Sequence, residues 1–165
     1  MMITDLHRPI LHAAIAALFL AGCAGSAGVG TKPRAVSAAE RVPATVAERA
    51  AAIALQQVGA AYRYGGASPA GFDCSGLVHY AYREAGKQLP RTTGQLWHSA
   101  GSVAHDELQV GDLLFFRFDG KMSHVAIYVG DERFVHAPST GKRVSVDSLD
   151  AEYYRRALVR GGRVR

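Results

Sequence analysis

The sequence predicts an α+β domain, helices first and antiparallel strands after them, and two observations carry that expectation. Up to about residue 100 the apolar residues recur every three or four positions, whereas from Gly111 onward they alternate. These are the spacings of a helix buried along one stripe and of a strand buried on one face. Helical segments followed by a run of strands give the α+β order. An apolar content of 48% in 165 residues supports one core.

Residues 1–22 read as an export signal, because Arg8 precedes an apolar run over 10–20 that is too short for a permanent membrane helix. The run closes on Leu20-Ala21-Gly22-Cys23, which resembles a bacterial lipobox, so Cys23 is the expected lipidated residue at the start of the mature chain. Several acyl chains make a stable anchor, and the membrane is then a partner. Alanine rather than aspartate at position 24 implies, by resemblance to lipoproteins of Gram-negative cells, the outer membrane facing the periplasm. Residues 23–44, rich in Gly, Ala, Ser and Pro, form a tether to a domain over 45–162. The net charge of +5 is unchanged by removal of the signal and suits an anionic cell envelope. Nucleic acid is excluded as a partner by export and by the lack of interleaved basic and aromatic residues. Arg155, Arg156, Arg160, Arg163 and Arg165 read as solvated surface, and a monomer is expected.

Within the domain, Thr45-Val46-Ala47-Glu48 has the form of a capping box, and the stripe after it predicts a helix running to Val58 and stopping at Gly59. A loop with Tyr62 and Tyr64 leads to Gly71-Phe72-Asp73-Cys74-Ser75-Gly76, after which Leu77, Val78, Ala81, Tyr82 and Ala85 predict a second helix ended by Gly86. A short helix is expected over 95–99, with Trp97 on the core and His98 and His105 at the surface. Strands are expected over 112–117, 123–129 and 133–137, with further candidates over 143–146 and 156–159.

Cys74 opens its helix, where unpaired N–H groups and the helix dipole favour the thiolate, and the Ser75 N–H is offered to an oxyanion beside the sulfur. With Cys23 lipidated, Cys74 is a lone exported thiol. His124 and His136 flank a hairpin turn at 130–132. If Val129 pairs with Arg133, the two histidines are diagonal neighbours on one sheet face, with backbones about 7–8 Å apart. One imidazole then deprotonates the thiol and the other orients it. A cysteine and two histidines also serve zinc, but no pair here has the short spacing of common zinc motifs and no fourth ligand is evident.

Tyr62, Asp73-Cys74-Ser75-Gly76, Leu89-Pro90-Arg91-Thr92, Gly111-Asp112-Leu113-Leu114-Phe115-Phe116, His124-Val125-Ala126-Ile127-Tyr128-Val129-Gly130 and Phe134-Val135-His136-Ala137 together resemble the NlpC-type cysteine peptidases of bacterial cell walls. The resemblance implies a papain-like domain in which a nucleophile-bearing helix packs on an antiparallel sheet. It implies Cys74 as nucleophile, His124 as general base, His136 as its orienting partner and Tyr62 as an oxyanion donor. Asp73 and Arg91 resemble residues that shape the substrate groove, or else pair within the loop. The implied reaction is hydrolysis of amides in peptidoglycan stem peptides without metal or organic cofactor. The expected bond is the diamino acid to D-alanine cross-link, with the D-glutamyl to diamino acid bond as the alternative. Acyltransferase relatives carry the histidine before the cysteine, the reverse of the order here. A lipid-anchored wall-binding protein without catalysis is the remaining alternative.

Overall fold

Residues 44–165 are described by a computed structural model; the expected signal, the lipidated Cys23 and the tether up to residue 43 lie outside the described residues. Helix α1 (Val46–Leu55) starts at the predicted capping box, with both reciprocal Thr45 and Glu48 bonds formed. It ends three residues short of Val58 because the chain turns away to pair elsewhere. Gly59 N–H donates to the Val144 carbonyl (2.9 Å) and Val144 N–H to the Ala60 carbonyl (2.8 Å). These long-range bonds outweigh the local helical stripe.

A short hairpin, β1 (Ala67–Ser68) with β2 (Gly71–Phe72), delivers the chain to α2 (Cys74–Glu84). The helix ends as predicted, with C-cap Ala85 followed by Gly86 at positive φ (97°). Helix α3 (Thr93–Ser99) begins two residues before the expected start because Thr92 caps it. Trp97 packs edge-on against Phe115 (5.3 Å between ring centroids).

The remaining strands form one sheet. In chain order they are β3 (Gly101–Val103), β4 (Leu113–Phe118), β5 (Lys121–Gly130), β6 (Arg133–His136), β7 (Ser145–Ser148) and β8 (Leu158–Arg163). The spatial order is β3-β8-β4-β5-β6-β7, every neighbour antiparallel. Residues 143–144 leave the predicted fourth strand because they bridge to Ala60 and Ala61, so β7 starts at Ser145. The expected strand over 156–159 is displaced to β8, since Glu152–Ala157 forms helix α4. Strand β3 is too short for a period-two pattern to reveal it.

Alternation divides the core. Leu113, Phe115, Val125, Ile127 and Val135 meet α1 and α2 on one face. Leu114, Phe116, Ala126, Tyr128 and Phe134 meet Leu149, Tyr154 and Ala157 on the other. The basic C-terminal segment is not all solvated surface, as its sequence suggested. The Arg160 guanidinium stacks on Trp97 (3.8 Å to the ring centroid), and Arg163 forms an ion pair with buried Asp112 (2.7 Å). Both cations staple β8 to its neighbours.

Candidate active site

Cys74 occupies the first turn of α2, and three residues hold that turn in place. Asp73 is the N-cap: its carboxylate accepts the N–H groups of Gly76 (2.7 Å) and Gly65 (2.8 Å). Arg91 grips the same carboxylate with both terminal nitrogens (2.9 and 2.7 Å) and also donates to Ser75 Oγ (3.0 Å). Burial pushes the Asp73 carboxyl up, but the Arg91 and backbone hydrogen bonds outweigh it and hold the group below its usual range. The hydrogen bond to Asp73 raises the Arg91 pKa in turn. Gly76 permits the close approach: a Cβ there would lie 1.9 Å from the Gly66 carbonyl oxygen. The Cys74 and Ser75 N–H groups make no hydrogen bond to another loop or turn among the described residues.

The thiol meets Thr93 Oγ1 at 3.7 Å and the Ser123 carbonyl at 3.9 Å. It makes no hydrogen bond to His124. Tyr62, Asp73, Cys74, Ser75 and Arg91 line one open hollow of about 470 Å³. Tyr62 is half-buried, and burial, followed by the nearby Cys74 and Asp73, raises its hydroxyl pKa. His124 and His136 line a second hollow of about 440 Å³, and Ser123 belongs to both. The predicted site residues that are described therefore fall into two hollows, the thiol in one and the imidazoles in the other, with Ser123 on the rim of both. A larger hollow, near 590 Å³, lies between the start of α1 and Arg163 and contains none of them.

Strand β5 places His124 through an irregularity. Arg117 pairs with Met122 and Phe116 with His124, leaving Ser123 as the extra residue of a β-bulge. Met122 consequently packs toward the helices, while His124 points to the face of Phe116. Uninterrupted alternation would have put these two side chains on the same face. The predicted register holds through Ile127–Val135 and Tyr128–Phe134, but a second irregularity pairs Gly130, not Val129, with Arg133. The histidines share a face, as the register required.

His124 Nε2 lies 2.7 Å from His136 Nδ1, and His136 Nε2 lies 2.6 Å from Asp147 Oδ2. Asp147 also accepts the Tyr154 hydroxyl (3.1 Å). The bond directions follow from the donors available. A carboxylate only accepts, so His136 donates from Nε2, and its lone pair at Nδ1 accepts from His124 Nε2. Neutral His124 then keeps its lone pair on Nδ1, the acceptor a thiol proton needs. Among the described residues no fully buried side-chain nitrogen or oxygen lacks a partner, so unpartnered Nδ1 is not fully buried. Burial, then His136, pushes His124 down to about 3. Burial lowers His136 as well, although Asp147 opposes it.

Asp147 escaped the sequence reading because the expected strand ended at Val146. In the observed register it sits opposite Phe134, on the face of His136. A strand extended by one residue and paired with β6 would have exposed the only carboxylate of that strand. Among the described residues no group of three or more His, Cys, Asp or Glu is arranged to hold a metal ion.

Comparison with known proteins bears on the family and the fold. The NlpC/P60 family profile matches residues 59–163. Murein DD-endopeptidase MepH of Escherichia coli is 44% identical over 116 residues, covering 67% of this chain and 43% of the relative. A probable endopeptidase NlpC homolog of Haemophilus influenzae is 38% identical over 69% of this chain and 61% of its own length. The chain thus spans less than two thirds of either relative. Among solved structures, a lipoprotein-like NLP/P60 family protein of Staphylococcus aureus superposes with TM-score 0.65 at 35% identity, over 72% of this chain and 41% of that one. The NlpC/p60 domain of the peptidoglycan hydrolase SagA gives 0.62 at 31%, over 70% and 97%.

Proposed function

The chain belongs to the NlpC/P60 family, and from that premise we propose that it is a cysteine peptidase hydrolysing amide bonds in peptidoglycan stem peptides. The observation that carries the reading is the hydrogen-bonded series Asp147–His136–His124. It leaves an acceptor nitrogen on the residue next to Ser123, whose carbonyl meets the Cys74 thiol.

In this reading the thiol proton passes to His124 Nδ1 as Sγ attacks the scissile carbonyl. The oxyanion is met by the Ser75 N–H and the Tyr62 hydroxyl. Collapse breaks the C–N bond while His124 returns the proton to the departing amine. Water, deprotonated by the same imidazole, then hydrolyses the thioester and restores the thiol. The negative charge of Asp147, relayed through His136, stabilises the transient imidazolium. The reading requires thiol and imidazole to come into contact when substrate binds, since no hydrogen bond joins them in the free chain. Asp73 and Arg91 hold the wall of the thiol-side hollow.

The diamino acid to D-alanine cross-link is the bond this reading favours, supported by the likeness to a DD-endopeptidase. Lipid attachment at Cys23 would place the domain on the outer membrane, facing the periplasm, as a monomer. Digestion of purified murein by the full chain, beside a Cys74→Ala control, tests the activity by mass spectrometry of the products. Cross-linked dimers falling to monomers only with the intact thiol support the reading, whereas shortened stems move the cut to the D-glutamyl bond. No thiol-dependent product from folded protein sinks the peptidase reading in favour of wall binding. Fractionation of cells carrying Cys23→Ser tests the anchor; a protein still in the membrane fraction counts against it.

A further inference from the structure

We propose that the Thr93 hydroxyl is the donor that stabilises the Cys74 thiolate, keeping hold of the sulfur as it ionises and leaves the Ser123 carbonyl. The inference deepens the peptidase reading above and rests on it for the use of that thiolate. Among the described residues Cys74 Sγ has two hydrogen-bonding neighbours, Thr93 Oγ1 at 3.7 Å and the Ser123 carbonyl at 3.9 Å. A thiol carries one proton and a carbonyl only accepts, so that proton goes to Ser123 and the Thr93 hydroxyl donates to the sulfur. Loss of the proton treats the two neighbours oppositely. The thiolate is left facing a carbonyl oxygen that repels it, while the bond from the hydroxyl becomes charge-assisted and strengthens. Ionisation therefore frees the sulfur from Ser123 but not from Thr93.

The local structure leaves that hydroxyl free for the task. Thr93 is the first residue of α3, but the cap of that helix is Thr92, whose side chain accepts Gln95 N–H. Among the described residues Thr93 Oγ1 makes no hydrogen bond other than the one to Cys74. Two anchors hold the loop that delivers it. Arg91 donates to Asp73 and to the Gly66 carbonyl (3.2 Å), and His79 Nδ1 lies 2.8 Å from the Leu89 carbonyl. Leu96, fully buried, seats the helix on the core. Thr93 itself is half-buried on the wall of the thiol-side hollow, where partial removal from water strengthens a hydrogen bond to an ion. Valine has the same branched shape as threonine and no proton to give, so packing and donation separate at this one position.

The test uses the full chain carrying Cys23→Ser, in which Cys74 is the one cysteine left. The ultraviolet absorbance of the thiolate against pH, taken as a difference from the same chain with Cys74→Ala, gives the ionisation constant of the thiol. Thr93→Val should lower that constant about three- to tenfold, the size of one ordinary hydrogen bond, and Thr93→Ser should keep it. Should valine disturb the fold, Thr93→Ala carries the same expectation. Murein digestion should weaken in Thr93→Val at neutral pH and recover as pH rises, whereas a loss of packing would persist at every pH. A constant unchanged in Thr93→Val and Thr93→Ala, or lowered as much in Thr93→Ser, overturns the proposal. A constant that falls as expected in a chain whose wild type cleaves no murein would sink the peptidase reading and leave the donor standing. Thiol-dependent cleavage by the wild type with no change of the constant in Thr93→Val overturns the donor alone.

Discussion

Asp147 decides which nitrogen of His124 carries the proton, although it touches neither the thiol nor His124. Asn at this position can present an N–H to His136 and reverse the series of donors, leaving His124 protonated at Nδ1, the wrong tautomer for a base. Asp147→Asn should lower kcat of the thiol-dependent digestion by about tenfold to a hundredfold with KM little changed, below the full effect of losing a general base. Tyr154→Phe removes a donor to the same carboxylate and should leave the tautomer intact. An Asp147→Asn chain that turns over like the wild type would remove Asp147 from the machinery. Cys74 and the two histidines were legible in the sequence because each sits at the boundary of a periodic segment. Asp147 was not, since its partner lies on a strand whose end only pairing defines.

At the scale of elements, the first turn of α2 depends on one carboxylate that caps the helix and pairs with Arg91. Asp73→Ala removes both and should cost about 2–3 kcal/mol, a cap plus a partly screened pair, measured by urea denaturation. The folded-state pKa of Asp73 lies below its usual 3.8. Its contribution is therefore complete above that value and lost as pH falls through the folded one. The stability gap between wild type and Asp73→Ala should accordingly close in acid below pH 3.8; a gap that persists there would refute the assignment. The caps of α1 and α2 could be read from Thr45, Glu48 and Asp73 because capping is local. The early end of α1 and the late start of β7 could not, because residues 59–61 and 143–144 exchange their hydrogen bonds across the fold.

For the whole molecule, the buried histidine pair makes stability depend on pH. His124 is pushed down to about 3 from 6.5, and His136 is lowered too. Between those limits the unfolded chain binds more protons than the folded one, so stability must fall as pH drops from 6.5 toward 3. Denaturation midpoints measured at pH 7.5 and 5 should differ in that direction, and His124→Gln should reduce the difference. Equal midpoints in the wild type would mean that the pair is not held neutral. By itself the sequence determined the α+β order, the cysteine at a helix start and the shared face of the two histidines, because each follows from local period and hairpin register. Only the tertiary structure decided the bulge at Ser123 that aims His124 and the reach of Asp147 to His136. Those depend on which distant segments compete for the same backbone hydrogen bonds and the same buried space, and a local pattern carries no record of that competition.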